Sequence, residues 1–342
     1  MAAAEKLVAQ AEQFPTNIPL TTPVKSAPPK GKTFVVLQCE ISQCTDIVSG
    51  ARAATAAIGW NLKVVPYQSA NPATLVSALQ QALQYNPVAV GFSGLPEAVW
   101  QSVLPAYQKA GVPLIPAFMG PLTTPSPQIP YDLAAKVGVL QSATELAAWV
   151  TVDSKGTGKV LVVNVPSFPI LAEFGDAFGA DVKSQCTGCA VSSIDATIPE
   201  VDAGQIDSLI VSALQKDPSI DYVSTVDGAF IDGLPSALAA AGLTGKVKVV
   251  GVGADVANEA NILAGGPDMA FFSLATAYTG WQMVDAAIRE EEGMSVVDPE
   301  DGGLPGQLLT KQDMTADHLQ PANSYDYPTD YPQQFKALWH VG

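Results

Sequence analysis

The sequence predicts an α/β protein made of two doubly wound parallel-sheet lobes, one after the other along the chain. Short apolar runs alternate strictly with segments of helical period, and the connections between them are brief, as βαβ units require. The alternation stops once, at the proline-rich residues 121–130, and then restarts on the same plan. Composition agrees, with 48% of residues apolar and only 15% charged, a balance suited to strands buried on both faces and unlike that of a disordered chain. A chain of 342 residues is long enough for two cores.

Residues 1–14 read as a short amphipathic helix with Leu7, Val8, Ala11 and Phe14 on one face, and residues 15–32, rich in Pro, Thr and Lys, as an extended arm. The run TFVVLQ at 33–38 is the first buried strand. Residues 46–59 carry helical period and end at Gly59. A second strand follows at 62–66. Asn71-Pro72 then predicts a capped helix start with Pro in the first turn, the helix running to Tyr85. A strand at 88–92, a helix at 97–110 and a strand at 112–117 complete the first lobe.

Beyond the break the pattern predicts helices at 142–152, 168–183, 203–216, 228–241, 254–263 and 278–291. The intervening strands fall at 159–164, 191–195, 222–225, 247–252 and 270–275, with a last short one at 307–310. The aromatic, proline-rich tail SYDYPTDYPQQFKALW, residues 324–339, is expected to pack along a lobe surface.

A formal charge of -16 repels phosphate backbones and anionic membranes, so no nucleic-acid partner is expected. No apolar run reaches the roughly 18 residues of a membrane span. The first residues lack the basic and apolar regions of a secretion signal, so the chain reads either as cytoplasmic or as a mature exported form. Four cysteines lie in two close pairs, Cys39 with Cys44 and Cys186 with Cys189. Two local disulfides, four buried thiols or a four-thiolate zinc site remain open, and a straight strand through Cys39 and Cys44 would prevent the first bridge.

Catalytic machinery is hard to assemble from this chain. The two histidines, His318 and His340, both fall in the tail, which leaves none to pair with a Ser or Cys in the α/β core. In Gly91-Phe92-Ser93-Gly94-Leu95 the second glycine falls one place early for a nucleophile elbow. Gly251-Val252-Gly253 lacks the third glycine of a dinucleotide fingerprint, Val256 standing there. In Gly156-Thr157-Gly158-Lys159, Val160 replaces the Ser or Thr of a phosphate loop. Cys186-Thr187-Gly188-Cys189 has redox spacing but follows a helix, whose carbonyl end disfavours a thiolate. Asp298, Glu300 and Asp301 read as a solvated acidic turn rather than a cation site.

Two consecutive α/β units with paired cysteines and no catalytic set resemble the type I periplasmic binding proteins of ABC transporters, in their ribose-binding-like branch. The stretches that carry the resemblance include KTFVVLQCEISQCTDIVSGARAATAAIGWNLKVV, NPATLVSALQQALQYNPVAVGFSG, AGVPLIPAF, KVLVVN, IDYVSTVDGAFIDGL, KVKVVGVGAD and GQLLTK, spread over residues 31–311. The resemblance implies an N-terminal lobe of 31–136 and 273–297, a C-terminal lobe of 137–272 and 298–311, and a three-segment hinge near Lys136, Phe272 and residues 295–305. Residues 1–30 stand apart as a helix and arm, and 312–342 as the tail.

It further implies a ligand held between lobes at the carboxyl ends of the strands. On this sequence those places are Glu40, Ile41, Gln43, Phe92, Ser93, Phe118 and Met119 in the first lobe. In the second they are Phe168, Phe174, Asp227, Phe230, Gly253, Asp255 and Ser273. Sugar binders of the family hold hydroxyls with an Asp-Arg pair after the fourth strand and an Arg on a second-lobe helix. Here Ala117-Phe118 and Phe174 stand at those places, which points to a less polar, aromatic or alicyclic ligand.

The function implied is a monomeric extracytoplasmic receptor that closes on its ligand, without cofactor or metal, and passes it to an ABC permease, with a lipid tether in a longer precursor. A ligand-sensing module for a signalling partner and a thiol-redox enzyme using Cys186 and Cys189 are the alternatives.

Overall fold

A computed structural model describes residues 1–120, 126–131, 133, 136–294, 306–312, 314 and 330–342. Asp298, Glu300, Asp301, His318 and the changeover expected at 295–305 lie outside the described residues, as does most of the tail before residue 330.

The elements run in the order α1 Ala2–Ala11, β1 Thr33–Gln38, α2 Ser42–Ile58, β2 Asn61–Pro66, α3 Pro72–Leu83, β3 Ala89–Ser93, α4 Glu97–Trp100, α5 Leu104–Ala110 and β4 Leu114–Ala117. Then come α6 Lys136–Asp153, β5 Lys159–Asn164, α7 Pro169–Gln185, β6 Ala190–Asp195, α8 Ile198–Asp202, α9 Ile206–Lys216, β7 Tyr222–Thr225 and α10 Leu234–Ala240. The chain continues through β8 Lys248–Val252, α11 Val256–Ala264, β9 Asp268–Leu274, α12 Thr276–Glu291, β10 Gly306–Thr310 and α13 Tyr331–Leu338.

Two predicted helices are broken, and a third is shortened, where backbone chemistry requires it. The helix expected over 97–110 is α4, a 3-10 turn at Gln101–Val103, and α5, because Pro105 can donate no N–H in mid-helix. The one at 203–216 starts only at Ile206, as α9, because Gly204, with a φ of +62°, separates it from the short α8 before it. The one at 228–241 divides into a 3-10 turn, Gly228–Ile231, and α10, which has Pro235 in its first turn. Helix α2 starts at Ser42, four residues before the expected Asp46, its first turn folded against the end of β1 by the bridge between Cys39 and Cys44. Asn71 precedes α3 but its side chain caps nothing; the Thr74 hydroxyl donates to the Asn71 carbonyl instead.

By internal packing the chain forms two units. Residues Pro15–Gly138 and Ala275 onward through α12, with α13, make one; α1, Val139–Leu274 and β10 make the other. Residues 1–30, expected to stand apart as a helix and arm, are divided after Phe14 between the two units, and Ser273 and Leu274 fall with the C-terminal unit.

The N-terminal unit holds a four-stranded parallel sheet in the order β2-β1-β3-β4. Strands β1, β3 and β4 are almost wholly buried, as their continuous apolar runs require, whereas the edge strand β2 buries only Val65. Helices α2 and α12 meet backbone to backbone at glycines: a β-carbon on Gly50 would stand 1.8 Å from the Ala277 carbonyl oxygen. Arm and C-terminal helix join the same core. Ile18, Leu20 and Val24 are buried beside Tyr331, Phe335 and Trp339. The Trp281 and Trp339 rings stack with centroids 5.3 Å apart, and the Val24 N–H donates to the Leu338 carbonyl at 3.0 Å. Arg289, fully buried, donates to Asp285 Oδ2 at 2.6 Å and to the Thr22 carbonyl at 2.8 Å, and Trp339 Nε1 donates to Asp285 Oδ1 at 2.8 Å.

The C-terminal unit holds a six-stranded sheet, β10-β9-β8-β7-β5-β6, parallel except that β10 runs against β9. Helix α1 packs against β10, with Ala4 and Ala11 buried and Leu7 and Val8 half-buried between them, one helical face.

Candidate functional site

Strand order decides where each sheet can hold a ligand. In the N-terminal unit the order reverses between β1 and β3, and in the C-terminal unit between β5 and β7. The loops leaving those strands diverge there and open a crevice at their carboxyl ends.

In the N-terminal unit β1 delivers Cys39, Glu40 and Ile41, and Cys39 is bridged to Cys44 in the first turn of α2, with Cα atoms 5.5 Å apart. The bend between strand and helix brings these Cα atoms within bridging range, which a straight strand would not. Both carboxylate oxygens of Glu40 accept from the Ser69 N–H, each at 3.1 Å, so the loop after β2 fixes an exposed carboxylate. Tyr67, in that same loop, donates its hydroxyl to the Ser93 carbonyl at 2.6 Å. Burial first, and then the charge of Glu40, push the Tyr67 hydroxyl pKa above its ordinary value, so Tyr67 stays a donor. Ser93 in turn donates to Cys44 Sγ at 3.6 Å. Glu40, Ser93 and the disulfide are therefore one connected group. Gln43 accepts from the Ser42 hydroxyl at 3.1 Å.

After β4, Phe118 has a φ of +57°, a left-handed backbone that a bulky side chain rarely adopts, and its N–H donates to the Leu133 carbonyl at 3.0 Å. Phe118 remains half-exposed, whereas Met119 is fully buried. Phe92 is buried too, edge-on to Trp100 with ring centroids 5.0 Å apart.

In the C-terminal unit Phe168 caps the start of α7, its carbonyl accepting from the Leu171 and Ala172 N–H groups. Asp227 follows β7 and accepts from the Ala229 N–H at 3.0 Å, and Thr225 donates to the Asp227 carbonyl at 2.7 Å. Gly253 bends the chain after β8 with a φ of +66°, and its carbonyl accepts from the Gly228 N–H at 3.2 Å, tying the two loops. Asp255 caps α11 through the Ala257 and Asn258 N–H groups, at 2.8 and 3.2 Å. Phe230 is half-buried in the 3-10 turn, and Ser273 is fully buried within β9.

Among the expected ligand contacts, Phe92, Met119, Phe174 and Ser273 are all buried. Phe174 is fully buried on the inner face of α7 and stacks on Phe178, centroids 6.1 Å apart, so its ring packs the lobe. The sequence reading missed Tyr67, Ser69, Asn258 and Asp232; their only signal is position, the first residues after β2 and around β7 and β8. The near-miss motifs are packing glycines. A β-carbon on Gly91 would stand 2.7 Å from Met283 Sδ, and one on Gly251 2.4 Å from Thr225 Cγ2. The second bridge, Cys186 to Cys189, lies between the end of α7 and the start of β6, at the helix's carbonyl end. Among the described residues no group of His, Cys, Asp and Glu could hold a metal ion, and no helix is long and apolar enough to cross a membrane.

Each unit is an open α/β sheet with polar loops at its switch point, the place where such sheets bind ligands. Residues 34–293 match the periplasmic binding protein domain, and the chain belongs to that family. The family's place is extracytoplasmic. Solved structures of similar fold include a 5-methylthioribose transporter solute-binding protein from Thermotoga lettingae TMO in complex with 5-methylthioribose. It is 19% identical, with a TM-score of 0.73, covering 94% of this chain and 99% of that one. Another is an ABC transporter solute-binding protein from Agrobacterium vitis bound with alpha-D-tagatopyranose, 20% identical, TM-score 0.71, covering 84% and 97%. A third, an ABC sugar transporter subunit from Rhodobacter sphaeroides 2.4.1, is 20% identical with a TM-score of 0.69, covering 83% and 99%. No functionally curated protein matches the sequence.

Proposed function

We propose that this protein is the solute receptor of an ABC importer, a monomer that captures one small ligand through the carboxyl-end loops of its sheets and delivers it to a permease. Its full-length form is lipid-tethered. The match of residues 34–293 to a family of binding proteins carries this reading. The similar transporter proteins that hold a tagatopyranose and 5-methylthioribose support it.

For the ligand, we narrow the aromatic or alicyclic expectation. Phe174 and Phe92 are committed to packing their own lobes, while Phe118 and Phe230 are only partly covered. The carboxyl-end loops also carry Glu40 in one unit and Asp227 and Asp255 in the other. A hydroxylated ligand with one apolar part fits that set, since carboxylates accept from hydroxyls and a half-covered ring takes up apolar surface.

Native mass spectrometry of the purified protein, followed by a thermal-shift screen of sugars, polyols and phenols, tests the reading. A ligand at 100 times its Kd stabilises by about 2.7 kcal/mol, a shift readily seen. Turnover of a bound compound, or no stabilisation by any class, overturns it.

A further inference from the structure

Each sheet has two edge strands, and three of the four edges are covered or guarded. Along β4 the Leu114 N–H donates to the Gln128 carbonyl at 2.7 Å, and the Leu133 N–H donates to the Pro116 carbonyl at 2.9 Å. Helix α1 lies against β10, where Gln307 Nε2 donates to the Glu12 carbonyl at 2.7 Å. On β2 the Asn61 and Tyr67 N–H groups turn inward, to the Lys32 and Gln38 carbonyls. Pro66 therefore stands at an outward position with no N–H to offer, and Lys63 lies mid-strand. Proline and lysine are the usual means by which an edge refuses a further strand.

The fourth edge, β6, has no such guard. Its sequence, AVSSID, holds no Lys or Pro, and its register with β5 is unbroken. Among the described residues nothing pairs with its outer side. The Ala190 and Ala196 N–H groups turn inward, donating to the Gly158 and Asn164 carbonyls at 2.9 and 2.8 Å. Backbone groups alternate along a strand, so those of Val191, Ser193 and Asp195 point outward.

Beside this edge runs a groove of about 570 Å³ between β6 and α7. A β-carbon on Gly175 would stand 3.2 Å from Asn164 Oδ1, and one on Gly179 3.5 Å from Val191 Cγ1. Helix α7 thus runs antiparallel to β6, its start at the strand's carboxyl end. The groove carries Asp176 and Asp195 at that end and Lys183 at the other, all three exposed.

An edge with acid at one end and base at the other is complementary to itself turned end for end. Centred on Ser193, two antiparallel β6 strands set Ser193 against Ser193, and Val191 against Asp195 of the other copy, each pair exchanging both backbone bonds. The two-fold axis is perpendicular to the sheet, so both α7 helices lie on one face and the contact is isologous. Asp195 of each copy comes to the Lys183 end of the other's groove.

We propose that β6 pairs with β6 of a second copy of this chain, joining two C-terminal sheets into one. This goes beyond the receptor reading and does not depend on it, since a single chain remains the unit that takes a ligand. One strand edge and one helix flank are a small patch against the roughly 1,200–2,000 Å² of a stable complex, so the pairing is weak and reversible. At about 0.15 M salt the Debye length is about 8 Å. Repulsion between two chains of formal charge -16 is then screened, while charges in contact across the edge still act.

The test is sedimentation equilibrium of the full chain from micromolar to millimolar concentration, with hydrogen exchange at the β6 amides. A concentration-dependent dimer is expected, and the Val191, Ser193 and Asp195 amides should slow as it forms. Ser193→Pro, which removes the outward N–H on the axis, is expected to weaken pairing at least about tenfold. Asp195→Lys and Lys183→Glu each set like charges together across the edge and are each expected to weaken it about tenfold. The double variant is expected to restore it, which damage to the fold would not do. A chain that sediments as a monomer at every concentration overturns the proposal and leaves the edge to a strand of another protein. A dimer that none of these variants weakens overturns it as well, because the contact then lies elsewhere.

Discussion

Gly50 and Gly280 are in reciprocal contact: each occupies the point where the other's helix backbone passes. A β-carbon on Gly280 would stand 2.2 Å from the Ile47 carbonyl oxygen and 2.3 Å from the Ala51 N, as one on Gly50 would strike Ala277. The segment that reads as a helix of the first lobe is therefore fastened to one more than 200 residues later, because neither helix carries a side chain at the crossing.

Gly280→Ala is expected to destabilise the protein by about 3 kcal/mol or more, because the atoms it meets are backbone and cannot swing aside. Gly179→Ala on α7 is the contrast. Its β-carbon would meet Val191 Cγ1 at 3.5 Å, an ordinary contact, so the better helix residue is expected to stabilise by about 0.5–1 kcal/mol. Denaturant midpoints for the two variants check both signs.

Arg289→Leu leaves the buried Asp285 without its partner and strips the Thr22 carbonyl of a donor. A loss of about 3–5 kcal/mol is expected. Adding Asp285→Asn should recover part of it, since the uncompensated charge is gone. A double-mutant cycle by chemical denaturation measures the difference.

Stability should fall as pH rises through the neutral range, the reverse of the usual carboxylate behaviour. Asp207, Asp232 and Asp268 bind protons more tightly folded than unfolded, holding them up to about 6, 7 and 6 respectively. Their contribution is fully present below about pH 4 and is lost as pH climbs through the folded values. Thermal melts from pH 5 to 8 should show Tm declining, and Asp232→Asn should flatten the decline. A Tm that climbs over that range, equally in both proteins, is the contrary result.

Replacing Cys39 and Cys44 by Ser opens a small ring that contains Glu40. Chain-entropy reasoning gives a loss of about 2 kcal/mol for so short a loop. Ligand affinity should fall further than stability alone explains, since the carboxylate loses its fixed place. Tyr67→Phe, which deletes the hydroxyl bonded to the Ser93 carbonyl, should cost about 1 kcal/mol. Melting curves and binding isotherms separate the two effects.

The strands were readable because burial on both faces leaves an unbroken apolar signal at runs such as Thr33–Gln38 and Lys159–Asn164. Helix interruptions were harder. Pro105 and Pro235 lie inside segments whose apolar period continues past them, so the period alone overran the break. The ligand loops were readable as positions but less so as roles. A Phe after a strand or in a helix can face solvent or core; Phe118 and Phe174 share a residue type and ended on different sides of that choice. The bonds that hold Glu40 depend on the Ser69 backbone, which no side-chain pattern announces.

The packing of α1 against β10, and of the arm against α13, has a consequence for synthesis. Elements early in this sequence, α1 and the arm, dock onto β10 and α13, which come some 300 residues later, so neither unit can complete its core until those late elements have emerged. Translation, at several residues per second, must pass those elements before either unit is fully built. Meanwhile partly formed sheets stand open, and their exposed apolar surface makes the nascent chain dependent on whatever shields it in the cell.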